Sequence, residues 1–399
     1  MIESRPVSTG ETGCPLDWIS EELASLDQEG LRRQRRVVEP LPEGRCRIDG
    51  WTLWNFAGND YLGLAADPRV VEASRDAAAE LGSGARASAA VSGRTPVHAK
   101  LERRIAEWKQ AEGAVLFPSG YAANLGTIPA LAGEGDVVLC DRLNHASLVD
   151  GCRLSRARLR VYSHDDLDLL DRELTKAADA RRRVIVTDSV FSMDGDLAPL
   201  AEIHRLATRH RAIVIVDEAH ATGIYGPQGT GLVPELGLAE AGFICIGTLS
   251  KALGSQGGFV TGSRDLCDWL WNRARTQMYS TALTPAAAAA ADRAIQILSE
   301  NDSIAAAVRS SAVRLRHALQ ERGYTVAGQI DCPIVPVLIG DIPRTMDLAR
   351  TLEAAGYLVG AIRPPTVPRG TSRLRITVSA AHPPEALDGL CAVLSNASP

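Results

Sequence analysis

Short apolar runs alternate with helical stretches from about residue 51 to residue 284. Several runs are continuously apolar, which is typical of strands that are buried on both faces. Alternation of such strands with helices predicts an α/β fold whose large domain holds a mostly parallel sheet with helical crossovers. The predicted strands are 114–117, 136–140, 158–162, 183–188, 212–218, 243–247 and 257–262.

The chain on either side of this region has a different pattern. Residues 1–50 hold one amphipathic stretch, predicted as a helix from Leu16 to about Arg36, and we interpret them as an arm. Beyond Pro285 an alanine-rich helix leads into a smaller segment, with predicted helices over 303–321, 344–355 and 383–396 and strands over 332–340 and 373–379. The predicted organisation is an N-terminal arm over 1–58, a large domain over 59–285 and a small α+β domain over 286–399.

Composition and charge exclude several classes of protein. The 399 residues are 45% hydrophobic and 23% charged, as in an ordinary folded domain, and the net charge of −5 with only short basic clusters argues against nucleic-acid binding. No apolar run approaches transmembrane length, so we expect no membrane partner. The eight cysteines lack CxxC or zinc-site spacing, and residues 1–13 lack the pattern of a secretory signal. We therefore expect a reduced, cytoplasmic protein with no metal site.

Lysine is rare in this chain. Of 43 basic residues, 39 are arginine and four are lysine. Lys100, Lys109 and Lys176 lie in charged helical stretches, where an exposed side chain is expected. Lys251 instead follows an apolar strand and precedes a glycine-rich turn, and its neighbours are small or apolar. Such surroundings lower the pKa of an amine and make it nucleophilic.

Other polar residues follow neighbouring strands, where an open parallel sheet binds its ligands. Ser119 and Gly120 begin a helix and could seat a phosphate, although a Ser-Gly turn that only caps the helix is equally common. Asp217 ends a strand and could be a catalytic carboxylate or a helix cap, and the absence of HExxH disfavours metal binding. His145 on its own is more often structural than catalytic.

Together these residues match the needs of one cofactor. Pyridoxal 5′-phosphate needs a lysine for its aldehyde, a helix N-terminus for its phosphate and a carboxylate for its pyridine nitrogen. The alternative of a nicotinamide oxidoreductase is disfavoured, because the glycine-rich segment 82–87 follows a helical stretch rather than a strand. The joint pattern predicts a pyridoxal-phosphate enzyme.

The chain resembles the α-oxoamine synthases, fold-type-I pyridoxal-phosphate enzymes that condense an amino acid with an acyl thioester and release carbon dioxide. The similar motifs cover most of the chain and occur in the family's order: NDYLGL, VSGRTPVH, FPSGYAAN, NHASLVDG, FSMDGDLAPL, VDEAHATG, TLSKALG, YSTALTP and RLRITVSAAH. Segment 362–375 resembles the branch that joins L-alanine to a pimeloyl thioester in biotin synthesis. The alternatives are the branch that uses glycine and acetyl-CoA and, in another class, a non-catalytic scaffold, which the retained lysine disfavours.

This resemblance implies roles for particular residues. Lys251 would bind the cofactor aldehyde, Asp217 the pyridine nitrogen and His220 the ring oxygen, while His145 would stack on the ring. Further implied cofactor contacts are Ser119, Gly120, Tyr121, Ser192, Thr248, Ser250, Ser280 and Thr281.

The resemblance also implies substrate contacts and partners. Arg375 would hold the amino-acid carboxylate, with Asn59 near the amino acid. Arg363 and Thr366 would contact the acyl end, and Arg32 or Arg33 would reach the substrate from the arm. Ser280 and Thr281 resemble the segment that reaches the neighbouring subunit, which implies a homodimer with shared sites. The acyl group could arrive on coenzyme A or on an acyl carrier protein.

Overall fold

The computed structural model describes residues 14–301 and 303–396, so the N-terminal segment in which no secretory signal was expected lies outside the described residues. The strands are β1 (Glu39–Leu41), β2 (Arg45–Ile48), β3 (Trp51–Phe56), β4 (Gly113–Phe117), β5 (Val137–Asp141), β6 (Arg158–Tyr162), β7 (Arg183–Asp188), β8 (Ile213–Asp217), β9 (Ile244–Thr248), β10 (Gly258–Gly262), β11 (Ile334–Gly340), β12 (Tyr357–Ile362) and β13 (Ser372–Thr377).

Helices connect and cover these strands. They are α1 (Trp18–Gln28), α2 (Pro68–Leu81), α3 (Pro96–Trp108), α4 (Gly120–Leu131), α5 (Ala146–Leu154), α6 (Leu167–Lys176), α7 (Leu200–His210), α8 (Leu232–Glu235), α9 (Arg264–Arg273), α10 (Arg275–Met278), α11 (Pro285–Glu300), α12 (Ser303–Gln320), α13 (Ile342–Ala354) and α14 (Pro384–Asn396). None of the helices in the described ranges is long and apolar enough to cross a membrane.

The central sheet has seven strands in the order β4-β10-β9-β8-β7-β5-β6. Strands β5 to β9 are parallel to their neighbours among themselves, and β10 runs antiparallel to both β4 and β9. The strands β5, β7 and β8 are buried almost throughout, as their apolar sequences require. The predicted mostly parallel α/β sheet is therefore confirmed.

A second sheet joins the two ends of the chain. Its order is β1-β2-β3-β12-β13-β11, with β3 parallel to β12 and all other pairs antiparallel. Strands β1 to β3 and β12 were not predicted, because their burial depends on partners that are remote in sequence. This sheet places the arm residues next to the C-terminal segment.

The predicted first helix is too long. It was expected to reach about Arg36, but α1 ends at Gln28, and Gly30 has a φ of +67°, a left-handed conformation that glycine adopts without strain. Residues 31–38 then continue without helical structure toward β1. The consequence is that Arg32 and Arg33 lie on an extended strap rather than on a helix.

Candidate active site

The carboxyl ends of the parallel strands place four side chains at one edge of the central sheet. Asp188 ends β7 and lies opposite Asp217, which ends β8. The next strand, β9, ends at Thr248, three residues before Lys251. The charges of both aspartates act on the Lys251 amine. The edge therefore brings the predicted lysine and the predicted carboxylate into one site.

The amine of Lys251 lies 2.7 Å from Nε2 of His220. The other ring nitrogen, Nδ1, lies 2.6 Å from the hydroxyl of Tyr61, which is fully buried. Burial lowers the pKa of Lys251 to about 8, although the negative charges of Asp217 and Asp188 oppose the shift. Burial and the charge of Lys251 hold the pKa of His220 well below its usual value, so this imidazole is neutral near pH 7.

A chain of hydrogen bonds orients the carboxylate of Asp217. Its Oδ2 accepts from the side-chain amide of Asn124 at 2.7 Å, and its Oδ1 accepts from the backbone amide of Ala219 at 2.8 Å. Asn124 also donates to the hydroxyl of Ser147, which lies 2.7 Å from Nδ1 of His145. One network thus connects the buried carboxylate to the exposed imidazole at the start of α5.

The N-terminus of α4 forms the expected seat for an anion. The Ser119 hydroxyl accepts from the amide of Ala122, while within the described part of the chain the amides of Gly120 and Tyr121 have no acceptor. A side chain at Gly120 would come within 3.3 Å of Cβ of Thr248, so the glycine keeps the helix start close to the end of β9. Free amides at the positive end of a helix bind phosphate groups.

Thr248 and Ser250 shape the turn that leads to Lys251. Both hydroxyls contact the backbone of Gly257, at 3.0 Å and 3.3 Å, and Thr248 also accepts from the amide of Ser250. These contacts fix the loop around the lysine. The predicted phosphate-side residues therefore lie together at the sheet edge.

Arg375 on β13 faces the same region from the second sheet. Its Nε donates to the Ser192 carbonyl oxygen at 2.7 Å, and its Nη2 donates to Oδ1 of Asn59 at 3.1 Å and to the Tyr61 hydroxyl at 3.4 Å. Because Tyr61 also contacts His220, the guanidinium is connected to the lysine end of the site. The predicted neighbours Arg375, Asn59 and Ser192 are thus brought together.

A second cluster lies where the strap meets the C-terminal sheet. Arg33 donates to the Thr366 hydroxyl at 3.2 Å, and Arg363 donates to the backbone carbonyl of Arg32 at 3.1 Å. Burial and the nearby charge of Arg33 lower the pKa of Arg363. The structure therefore brings Arg363 and Thr366, predicted at the acyl end, together with Arg33 and the backbone of Arg32, whose guanidinium pairs with Asp27.

Three other predicted residues lie toward the surface. Tyr121 is 45% exposed, donates to Asp150 at 2.6 Å and meets the His145 ring edge to face at 6.5 Å between centroids. Thr281 is exposed and forms an isolated bridge with Ser88. Ser280 precedes it and is half-buried. A role for Ser280 and Thr281 in a neighbouring subunit's site stays a prediction.

The expectation for Lys109 was wrong. This lysine is only 7% exposed, and its ammonium lies 2.8 Å from the carboxylate of Glu218. Lys100 and Lys176 are exposed, as expected. Lys109 follows the last residue of α3, and its charged helical surroundings gave a misleading signal.

Sequence reasoning also missed three residues of the site. Asp188 was interpreted only as the end of a strand. The available signal was that it is an acid at a strand end, as Asp217 is, and the structure places the two opposite each other. Asn124 and Tyr61 lie inside quoted motifs, but their contacts with Asp217 and His220 depend on the fold. Burial and the charge of Asp217 raise the pKa of Asp188 well above its usual value.

The chemistry of the donor set fits pyridoxal phosphate. A poorly solvated amine faces a carboxylate with two hydrogen-bond donors, and a helix with free N-terminal amides begins beside the same strand end. A side chain at Gly258 would come within 2.5 Å of the Ser119 carbonyl oxygen, so the backbone forms a close cradle at this helix start. Fold and site define a pyridoxal-phosphate enzyme of fold type I.

Comparison with known proteins assigns the family. The chain belongs to the aminotransferase class I and II family, whose model matches residues 52–394. It is 47% identical over 384 residues to an 8-amino-7-oxononanoate synthase of Anaeromyxobacter dehalogenans, covering 96% of each chain. An 8-amino-7-oxononanoate synthase of Anaeromyxobacter strain Fw109-5 is 50% identical over 383 residues, covering 95% of each chain.

Solved structures agree with this assignment. The structure of a serine palmitoyltransferase from S. paucimobilis with a bound pyridoxal-phosphate adduct has a TM-score of 0.91 and 30% identity, covering 96% of this chain and 97% of that one. An 8-amino-7-oxononanoate synthase from Francisella tularensis shares the fold, with a TM-score of 0.74 and 24% identity over 86% of this chain and 97% of that one. The resemblance to α-oxoamine synthases is confirmed.

Proposed function

We propose that this chain catalyses the decarboxylative condensation of L-alanine with a pimeloyl thioester, giving 8-amino-7-oxononanoate, the free thiol carrier and carbon dioxide in biotin synthesis. The observation that carries the proposal is the position of the Lys251 amine, 2.7 Å from His220 and within the field of Asp217 at the sheet edge. The two Anaeromyxobacter relatives named above support the choice of reaction within the family.

The residues of the sheet edge would hold the cofactor. Lys251 would bind its aldehyde, Asp217 its ring nitrogen, and the amides of Gly120 and Tyr121 its phosphate, while His145 would cover the ring. Bound pyridoxal phosphate supplies an electron sink for a carbanion at the amino-acid Cα. Asp217, whose carboxylate is held by two hydrogen bonds, would pair with the ring nitrogen and keep that sink effective.

Lys251 is also suited to proton transfer. With its pKa lowered to about 8, a free amine at this position accepts a proton near neutral pH and can return it. The neutral His220 beside it offers a hydrogen-bond partner without adding a positive charge. We infer that Lys251 removes the Cα proton of alanine and returns a proton before product release.

The two arginine sites would orient the two substrates. Arg375 would bind the carboxylate of alanine through a two-point contact, since its guanidinium is already fixed by Ser192 and Asn59. The cluster of Arg33, Arg363 and Thr366 would bind the far end of the acyl chain, which in a pimeloyl group is a carboxylate. Opposite charge at that end would favour pimeloyl over acetyl groups.

The partners are part of the proposal. We propose a cytoplasmic homodimer in which the segment with Ser280 and Thr281 completes the neighbouring site, and an acyl donor on coenzyme A or an acyl carrier protein. The free state of all eight cysteines fits a reducing compartment. The segment's exposed position beside Ser88 leaves it accessible to a second copy of the chain.

A direct assay tests the reaction. Purified protein is loaded with pyridoxal phosphate and given L-alanine with pimeloyl-CoA, L-alanine with a pimeloyl carrier protein, or glycine with acetyl-CoA. We expect carbon dioxide release and an amino ketone product with at least one pimeloyl donor, and loss of turnover in Lys251→Ala but not in the exposed-lysine control Lys176→Ala. Faster turnover of glycine with acetyl-CoA would overturn the substrate assignment.

A further inference from the structure

The residue after the cofactor carboxylate points away from the site and into a buried ion pair. Glu218 follows Asp217 directly, and its side chain is 1% exposed. Its Oε2 lies 2.8 Å from the ammonium of Lys109, whose side chain is 3% exposed, and its Oε1 accepts from the amide of Val233 at 2.9 Å. A buried pair with this many partners is well satisfied, and removal of one member leaves an uncompensated charge.

The Lys109 ammonium contacts both sides of the turn that carries His220. It donates to the carboxylate of Glu218, two residues before the histidine, and to the hydroxyl of Thr222, two residues after it, at 3.3 Å. The backbone amide of Thr222 also donates to the Glu218 carbonyl at 2.8 Å. One charged group therefore fixes both ends of the five-residue turn 218–222.

The same ammonium connects this turn to the neighbouring loop and sheet. It donates to the carbonyl of Thr230. In the same loop, the carbonyl of Gly229 accepts from the amide of Gly223. The ammonium lies 5.6 Å from the ring centre of Phe259 on β10, and that ring packs on Gly247 of β9, just before Thr248. The Lys109–Glu218 pair is thus connected to the strand that leads to Lys251.

We infer that the Lys109–Glu218 pair is a positioning element of the active site, which holds the 218–222 turn so that the imidazole of His220 meets the Lys251 amine and the cofactor. Neither residue touches the reacting atoms. The pair acts through His220, whose other contacts are the Tyr61 hydroxyl and the Lys251 amine. This inference rests on the proposed function, because the readout is the environment of bound pyridoxal phosphate.

Three variants test the inference. Lys109→Met removes the ammonium but leaves Glu218 charged, whereas Lys109→Met with Glu218→Met replaces the pair by apolar side chains of similar volume, which restores folding stability in other buried pairs. Thr222→Val removes one hydrogen bond of the Lys109 ammonium without burying a new charge. Lys100→Met is the matched control, since Lys100 is an exposed lysine of α3, the helix that ends just before Lys109, and its partner Asp292 keeps a second partner in Arg104.

The measurements are the melting temperature, the dissociation constant of pyridoxal phosphate and the pH midpoint of its visible absorbance in the loaded protein. We expect the double variant to melt like the parent but to bind pyridoxal phosphate about tenfold more weakly, with its pH midpoint displaced by about one unit, because a shifted imidazole changes the hydrogen bonding of the lysine–cofactor linkage. Thr222→Val should show a smaller change in both, and Lys100→Met should match the parent.

The outcomes separate the inference from the proposed function. If the double variant or Thr222→Val folds like the parent and keeps both the cofactor affinity and the pH midpoint, the pair is only structural and the inference is overturned. If the double variant does not fold, Thr222→Val decides alone. If the parent and Lys100→Met show no visible cofactor band, the proposed function fails and the inference fails with it.

Discussion

Arg375 gives a quantitative test of substrate recognition. Its guanidinium has five N–H groups, and three are engaged by the Ser192 carbonyl, the Thr377 hydroxyl and Asn59 at 2.7, 2.9 and 3.1 Å. One N–H on Nη1 remains, together with the Nη2 N–H that makes only the 3.4 Å contact with Tyr61. Donors on two terminal nitrogens are the groups with which a guanidinium can bind the two oxygens of a carboxylate.

The magnitude follows from these two hydrogen bonds. A hydrogen bond to a charged group contributes about 1.5–3 kcal/mol, so two contribute about 3–6 kcal/mol. Arg375→Lys keeps the charge but loses the planar pair of donors, so part of this energy remains. We expect Arg375→Lys to weaken alanine binding by about 100-fold, which corresponds to about 2.7 kcal/mol.

The assay compares two amines in the loaded protein. L-alanine and ethylamine differ by the carboxylate, and each is titrated against the visible absorbance of bound pyridoxal phosphate. Arg375→Lys should weaken alanine binding and leave ethylamine binding within about twofold of the parent, because no carboxylate is present to be lost. Arg373→Lys is the matched control, since Arg373 is a buried arginine on the same strand that pairs with Asp194 instead.

Two results would refute this reasoning. Equal weakening of alanine and ethylamine in Arg375→Lys would mean that the substitution disturbs the site in general and that the carboxylate lies elsewhere. An equally large loss of alanine binding in Arg373→Lys would mean that any change in β13 has the same effect. A melting temperature measured for each variant separates both results from simple unfolding.

Three further predictions concern protonation. The rate at which pyridoxal phosphate attaches to the apoprotein should rise with pH and reach half its maximum near pH 8. Burial lowers the pKa of Lys251 to about 8, and only the neutral amine attacks an aldehyde. A midpoint near the pKa of free lysine would contradict this prediction. Asp217→Asn should lower kcat by about 100-fold or more, whereas Asp188→Asn should change it less than about threefold, since burial and the charge of Asp217 already raise the pKa of Asp188 and favour its neutral form. Hydrogen bonds to Asp141 and Asp196 overcome the effect of burial and raise the pKa of His164 to about 10. The protonated His164 therefore stabilises the fold fully below about pH 6.5, and this contribution is lost as the pH rises toward 10. Urea unfolding should show a loss of about 1–2 kcal/mol over this range in the parent and none in His164→Gln.

The central sheet and its edge were predictable because their signals are local. Each apolar run of β5, β7, β8 and β9 is long enough to be recognised alone, and topology places their carboxyl ends at one edge. The residue types that follow the strands, above all Lys251, then define the chemistry. Each of these residues was ambiguous on its own, and their joint occurrence indicated a pyridoxal-phosphate site.

The second sheet was not predictable in the same way. Strand β12 is stabilised by pairing with β3, and the two are at opposite ends of the chain, so neither run shows its partner. The strap was wrongly predicted as helix for a different reason. Its helical periodicity continues past Gly30, although the helical backbone does not. Local patterns indicate propensity, while the end of a helix here depends on one glycine and on contacts that the strap makes with α13, among them the ion pair of Arg36 with Glu353.

Lys109 shows how burial can reverse an interpretation. Its neighbours in α3 are charged, and a lysine in such a sequence is usually exposed. The available signal lay elsewhere in the chain, in the acid that directly follows the strand-end Asp217. A buried Glu218 needs a cation, and only the fold shows that Lys109 supplies it.

The most direct measurement asks which lysine binds the cofactor. The protein loaded with pyridoxal phosphate is reduced with borohydride, digested and analysed by mass spectrometry, and the chain offers four lysines. We predict a reduced phosphopyridoxyl group on Lys251 and none on Lys100, Lys109 or Lys176. A group on any of those three, or no stable attachment at all, would contradict it.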